Sequence, residues 1–205
     1  MSLDSLFEQL KHPNPNIRQR ASFEIAEQQD DNTIPRLMAN LEEEDMVYRR
    51  ASVKTLGVIG HDSIPYLVES LVKSDNPTVK ASAAKALAQV AVNYPDKDFP
   101  QVGLDGLCKG MNDDNPVVHI SSIMALGAIG DSTIELLLDV LEKTDNVAVG
   151  VTILNTLGGM KDERAKEKLI QFSQDDSVDP YLKETAVSAL SRLEMLTKFA
   201  RGESV

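Results

Sequence analysis

The sequence predicts an all-α protein, a solenoid of six helical hairpins wound as a right-handed superhelix. Three observations lead there. A two-part phrase recurs, Tyr48-Arg49 leading to Leu56-Gly57-Val58-Ile59-Gly60 and Val118-His119 leading to Leu126-Gly127-Ala128-Ile129-Gly130, and self-similarity at a period of about thirty residues is the signature of stacked repeats. The apolar share, 42% of 205 residues, comes mainly from Ala, Val, Leu and Ile, with 4% aromatics and no Trp, which suits packed helices better than sandwiches or barrels. Turns rich in Asp, Asn and Pro, such as Asp75-Asn76-Pro77 and Asp114-Asn115-Pro116, stop one helix and cap the next.

The second helix of each hairpin follows from one leucine-like column, Ile25, Leu56, Leu87, Leu126, Leu157 and Leu190, with steps of 31, 31, 39, 31 and 33 residues. Eight before it stand Ile17, Tyr48, Val79, Val118, Val149 and Leu182; four before it, Ala21, Ser52, Ala83, Ser122, Ile153 and Ala186; three after it, Gln28, Ile59, Val90, Ile129, Met160 and Leu193. These offsets trace one buried helical stripe. The first helices are visible in Ile34-Pro35 with Leu37 and Leu41, in Ile64-Pro65 with Leu67 and Leu71, and in Ile134 with Leu137 and Leu141; proline in the first turn fits a helix start.

The repeats run 1–31, 32–61, 62–95, 99–131, 132–162 and 163–195, with an insertion at 93–100 and a fraying tail at 196–205. The long step of 39 is accounted for by the insertion, Asn93-Tyr94-Pro95-Asp96-Lys97-Asp98-Phe99-Pro100. Because a hairpin buries its stripe only against neighbours, one continuous domain, 1–205, is expected.

Composition excludes several function classes. The net charge of −11 repels phosphate backbones and anionic lipid, so neither nucleic acid nor membrane is an expected partner. The opening MSLDSLFEQLKH reads as neither secretory signal nor transit peptide, and no apolar run approaches membrane-spanning length. One cysteine, Cys108, forms no internal disulfide and no zinc cluster. A reducing, cytoplasmic location is the expectation.

No catalytic constellation, metal site or phosphate loop stands out. The three histidines, His12, His61 and His119, lie in different repeats, and the His-Glu dipeptide of deoxyhypusine hydroxylases is missing. Gly158-Gly159 lacks the strand and spacing of a nucleotide loop. Cys108, on a first helix, is either a small packed side chain or a thiol that holds a ligand transiently. The basic column Arg18, Arg49, Lys80, His119 and Lys183 is either a binding ladder or a structural one paired with turn residues such as Asp45, Asp75 and Asp114.

The column opposite the buried stripe, which lines the concave face of a solenoid, changes character along the chain. It reads Arg50, Lys54, Val58, Ala81, Lys85 and Gln89 in the second and third repeats, then Ile120, Met124, Ala128, Val151, Asn155 and Gly159 in the fourth and fifth. Cations beside apolar groups, on a face the fold does not need to bury, predict a partner there. Its binding residues are Arg50, Lys54, Lys85, Ile120, Met124, Val151 and Asn155; the competing reading buries Ile120 and Met124 as core.

The turn Asp, the Val-Arg or Val-Lys pair and the Leu-Gly-x-Ile-Gly phrase resemble HEAT-type repeats. The short repeat length, with His12-Pro13-Asn14-Pro15, Asn32-Thr33-Ile34-Pro35, Tyr48-Arg49-Arg50-Ala51 and Lys85-Ala86-Leu87-Ala88-Gln89-Val90-Ala91-Val92, resembles the HEAT-like phycobilisome lyases, and within them the small Z-type partners of phycoerythrin bilin lyases. The resemblance implies an accessory subunit or chaperone in the attachment of a linear tetrapyrrole, phycoerythrobilin, to phycoerythrin α and β subunits. It implies a larger HEAT-like lyase subunit as a further partner and no intrinsic cofactor beyond a transient bilin. Two alternatives stand beside it. The chain is a bilin-binding lyase in its own right, with Arg50, Lys54 and Lys85 on the propionates, or it is a generic HEAT-repeat adaptor or a phycobilisome degradation factor.

Overall fold

The computed structural model describes residues 1–200, and among them every regular element is helical. Contacts divide the chain into two compact units, 1–128 and 129 onward; the division falls inside the phrase Leu126-Gly127-Ala128-Ile129-Gly130 rather than at the insertion.

The first unit holds four hairpins: α1 (Leu3–Gln9) with α2 (Pro15–Glu27), α3 (Thr33–Ala39) with α4 (Met46–Ile59), α5 (Ile64–Lys73) with α6 (Pro77–Asn93), and α7 (Gln101–Met111) with α8 (Pro116–Ile129). Second helices form one layer, in which α4 packs between α2 and α6, and first helices form the other, in which α5 touches both α3 and α7. The second unit repeats the scheme with α9 (Ile134–Lys143), α10 (Val147–Leu157), α11 (Glu163–Gln174) and α12 (Pro180–Ala200); there α10 packs on α12 and α9 on α11. Within each unit this is the side-by-side stacking of a solenoid.

Local chemistry sets the helix starts. Asn14, Asp45, Asn76 and Asn146 hold extended backbone, and each side-chain oxygen accepts from an amide of the first turn, as Asp45 Oδ1 does from Val47 N at 2.8 Å. Each cap satisfies a donor the helix leaves open, and its loss costs about 1 kcal/mol. Pro15 and Pro77 occupy the first helical position, where no amide is needed.

The predicted stripe is the core except at Gln28, which caps the end of α2 and is exposed. Ile25, Leu56, Leu87, Leu126 and Leu157 are all 0% exposed, and only Leu190, on the last helix, is half-buried. Burying each such side chain contributes about 1.5–3 kcal/mol. Glycine one position further on lets neighbouring second helices approach closely. A Cβ at Gly57 would stand 2.3 Å from Gln89 Cβ on α6, and one at Gly158 would stand 2.8 Å from Ala189 Cβ on α12.

Two expectations change. The helix α12 runs to Ala200, five residues past Met195, where fraying was expected; residues 201–205 of the expected tail lie outside the described residues. Ala81, expected on the open face, is buried at 2% exposure, because α6 is enclosed by both α4 and α5.

Candidate functional site

On the first unit the expected face is built from the second helices. Arg50 and Lys54 project from α4 one turn apart and Lys85 from α6, and all three are exposed. Two open grooves flank the Arg50–Lys54 pair. One, about 450 Å³, lies between α2 and α4 and is lined by Gln19, Phe23, Met46, Val47 and Val58 besides the two cations. The other, about 500 Å³, lies between α4 and α6 and adds Val53, Lys85 and Val117.

The three cations stand together along one groove. Among the described residues, no acidic side chain forms an ion pair with Arg50, Lys54 or Lys85, whereas Lys80 pairs with Asp113 at 2.7 Å, Arg36 with Asp4 at 2.6 Å and Arg164 with Glu135 at 2.7 Å. Like charges four apart on a helix repel by a few tenths of a kcal/mol. Three unneutralised cations on one face of a chain with net charge −11 make a local positive field set against the rest of the surface.

On α8, Met124 is 60% exposed and Ile120 half-buried. On α10 of the second unit, Val151 is half-buried and Asn155 exposed. Asn155 is occupied internally, since Arg192 Nη2 donates to its carbonyl at 2.9 Å and to its Oδ1 at 3.2 Å, tying α12 to α10.

Three large, exposed apolar residues of the first groove were missed in the sequence. Phe23, 50% exposed, occupies in the first repeat the same column as Lys54, Lys85 and Met124. Met46 and Val47, 50% and 42% exposed, open α4. The signal for Phe23 was present, because its offset from Ile25 equals that of Lys54 from Leu56. The Met46 position carries no such column, since proline fills four of its six places.

The basic column is structural. Arg18 Nη1 donates to the carbonyl of Pro13 at 2.8 Å, Arg49 Nη1 donates to that of Glu43, and Lys183 pairs with Asp176 at 2.5 Å. Each fastens a turn within its own hairpin. Lys80 reaches the next turn, and its hydrogen bond holds the Asp113 carboxyl below the usual carboxylate range. His119, too short to reach a turn carbonyl, is buried, and its Nε2 has no partner.

Cys108 lies on α7, half-buried. Burial pushes its thiol up and Asp105 adds to the shift, the opposite of what an activated nucleophile needs. No group of three or more His, Cys, Asp or Glu among the described residues could hold a metal ion, and no helix among them is long and apolar enough to cross a membrane.

The family model for HEAT repeats matches residues 3–88 and 104–191, leaving unmatched the stretch that contains the insertion. The chain is 48% identical over 201 residues, 98% of its own length and 100% of the relative's, to an uncharacterized phycocyanin operon protein Z of Pseudanabaena tenuis (strain PCC 7409). It is 34% identical over 184 residues, 86% of its length and 97% of the relative's, to the bilin biosynthesis protein CpeZ of Synechococcus sp. (strain WH8020). The chain belongs to the HEAT-repeat family of these Z-named relatives. A solved structure, the complex of CpcE and CpcF of phycocyanin lyase from Nostoc sp. PCC7120, superposes with a TM-score of 0.49 at 18% identity, covering 75% of this chain and 96% of that one.

Proposed function

We propose that the chain is an accessory subunit or chaperone in the covalent attachment of a linear tetrapyrrole to phycobiliprotein subunits, holding the acceptor rather than performing the bond-forming step. The relatives named for bilin biosynthesis and for a phycocyanin operon support the pathway. The observation that carries the mechanism is the unpaired cation group Arg50, Lys54 and Lys85 beside exposed Phe23 and Met46. Such a face binds through charge and apolar contact. Cys108, whose thiol is pushed up, is a poor candidate for carrying the bilin.

In its specific form the proposal names phycoerythrobilin as the transient ligand, phycoerythrin α or β as the acceptor and a larger HEAT-like lyase subunit as a further partner, in a cytoplasmic setting. A second reading is favoured by the groove volume: about 450 Å³ with cations at its rim falls in the range of small-molecule sites, and Arg50 offers a bidentate donor to a propionate. On that reading the chain binds bilin itself.

Mixing the purified chain with apo-subunits of phycoerythrin and of phycocyanin, with and without phycoerythrobilin, tests both readings. Complexes resolved by size exclusion with no spectral change in bilin alone support the accessory role. A red-shifted bilin with the chain alone supports the second reading. Binding of neither subunit nor bilin overturns both and leaves a generic adaptor.

A further inference from the structure

The exposed part of α4 alternates along its length. Met46 and Val47 open it, Arg50 and Lys54 follow at helical spacing, and half-buried Val58 closes it. From Met46 to Val58 is about 18 Å at 1.5 Å per residue, three helical turns. Phe23 of α2 faces this row across the groove. Gln89 of α6 lines both grooves, and Lys85 stands one turn before it.

We propose that this face docks an acidic amphipathic helix of a partner protein, with two guest carboxylates one turn apart over Arg50 and Lys54 and guest apolar side chains against Phe23 and Met46. The proposal rests on the accessory reading above and names the chemistry of what the site holds. Charge complementarity selects the occupant. Arg50 and Lys54 repel each other and among the described residues no acidic side chain forms an ion pair with either, so a guest with Asp or Glu at i and i+4 supplies the missing partners. The net charge of −11 disfavours approach of an acidic guest to the rest of the surface, so the same guest is steered here.

Geometry selects a helix. The two grooves are open on their solvent side and run alongside α4, whereas a small ligand is commonly enclosed over most of its surface. A helix laid in an open groove presents anchors at i, i+3, i+4 and i+7 and needs no enclosure. Lys85, in the second groove, takes a third carboxylate, and exposed Val117 extends the apolar edge.

The test uses a fluorescein-labelled helical peptide of about fourteen residues with a leucine stripe flanked by Glu at i, i+4 spacing, and a twin in which every Glu is Lys, both read by polarisation at two salt concentrations. The acidic peptide is expected to bind more weakly at high salt, and the twin not to bind. Arg50→Glu with Lys54→Glu should weaken binding at least about tenfold, as should Phe23→Ser, with the cation variant melting like wild type. Failure of the acidic peptide to bind, equal binding of the twin, or unchanged binding by the double variant overturns the proposal. Displacement of the peptide by phycoerythrobilin alone also overturns it, by giving the face to the bilin. If the peptide binds as expected while no apo-subunit does, the docking face stands and the accessory reading falls. If subunits bind equally well to the double variant, the face falls and the accessory reading stands.

Discussion

Tyr94 of the insertion packs against Gly60, its Cε2 2.5 Å from where a Cβ of that residue would stand, and its hydroxyl donates to the Val58 carbonyl at 2.5 Å. His61 meets the same ring edge-on at 5.8 Å, and its Nε2 lies 3.4 Å from the Asp98 carbonyl. The insertion is thus folded back on the end of α4, one repeat earlier, rather than standing away as a spacer.

Gly60 and Gly130 separate backbone strain from this packing. They occupy equivalent positions, with φ 86° and ψ −135° at Gly60 and φ 97° and ψ −149° at Gly130, a region that other residues enter at a cost of about 1–3 kcal/mol. At Gly130 nothing lies within 4 Å of an added Cβ, so Gly130→Ala should show strain alone. Gly60→Ala should lose more stability, because Tyr94 must also move. Equal losses in denaturant melts would mean that Tyr94 does not hold the insertion down.

The helices and their buried column were legible because burial repeats with the sequence: Leu56, Leu87 and Leu126 occupy one column and share one fate. The partners of the basic column were not legible. Asp45 was expected to meet a cation, but its carboxylate is engaged in capping α4, so Arg49 reaches past it to a backbone carbonyl. Spacing places a side chain on a face, while its partner depends on which acceptors the caps leave free. The cation face was legible through Arg50, Lys54 and Lys85. Phe23 and Met46 were not read as part of it, because Phe23 stands in a column that is cationic in the next two repeats and Met46 stands where four other repeats carry proline.

The Lys80–Asp113 pair predicts a pH dependence. The lysine hydrogen bond, with the Asn115 amide and the charges of Lys80 and His119 adding to it, keeps the folded-state Asp113 pKa below its unfolded value. A depressed carboxylate contributes stability that is fully present above the unfolded value, about 4, and is lost as pH falls through the folded one. Lys80→Met should therefore melt lower than wild type near neutrality, and the gap should close as pH drops below about 4. A gap that persists in acid would trace the loss to packing of the lysine stem.

Cys108 should alkylate slowly. Burial and the Asp105 carboxylate both raise its pKa, so less thiolate is present at neutral pH than in a free cysteine. Asp105→Asn removes one of the two causes and should speed iodoacetamide labelling, with the rate-against-pH curve moving to lower pH. A wild-type rate above that of free cysteine would revive the thiol as a bilin carrier.

Met124 tests how far the binding face reaches along the first unit. At 60% exposure it has little burial to lose, so Met124→Asp should shift stability by less than about 1 kcal/mol, mostly helix propensity, whereas a core methionine replaced by a charge would cost at least about 2–5. Met124 shares its column with Lys54 and Lys85, and a new carboxylate there opposes an acidic partner both by removing apolar contact and by repulsion. Weaker binding of an apo-subunit by a variant that melts like wild type would extend the face along α8 from Val117 to Met124. Unchanged binding would end it at Lys85 and Val117.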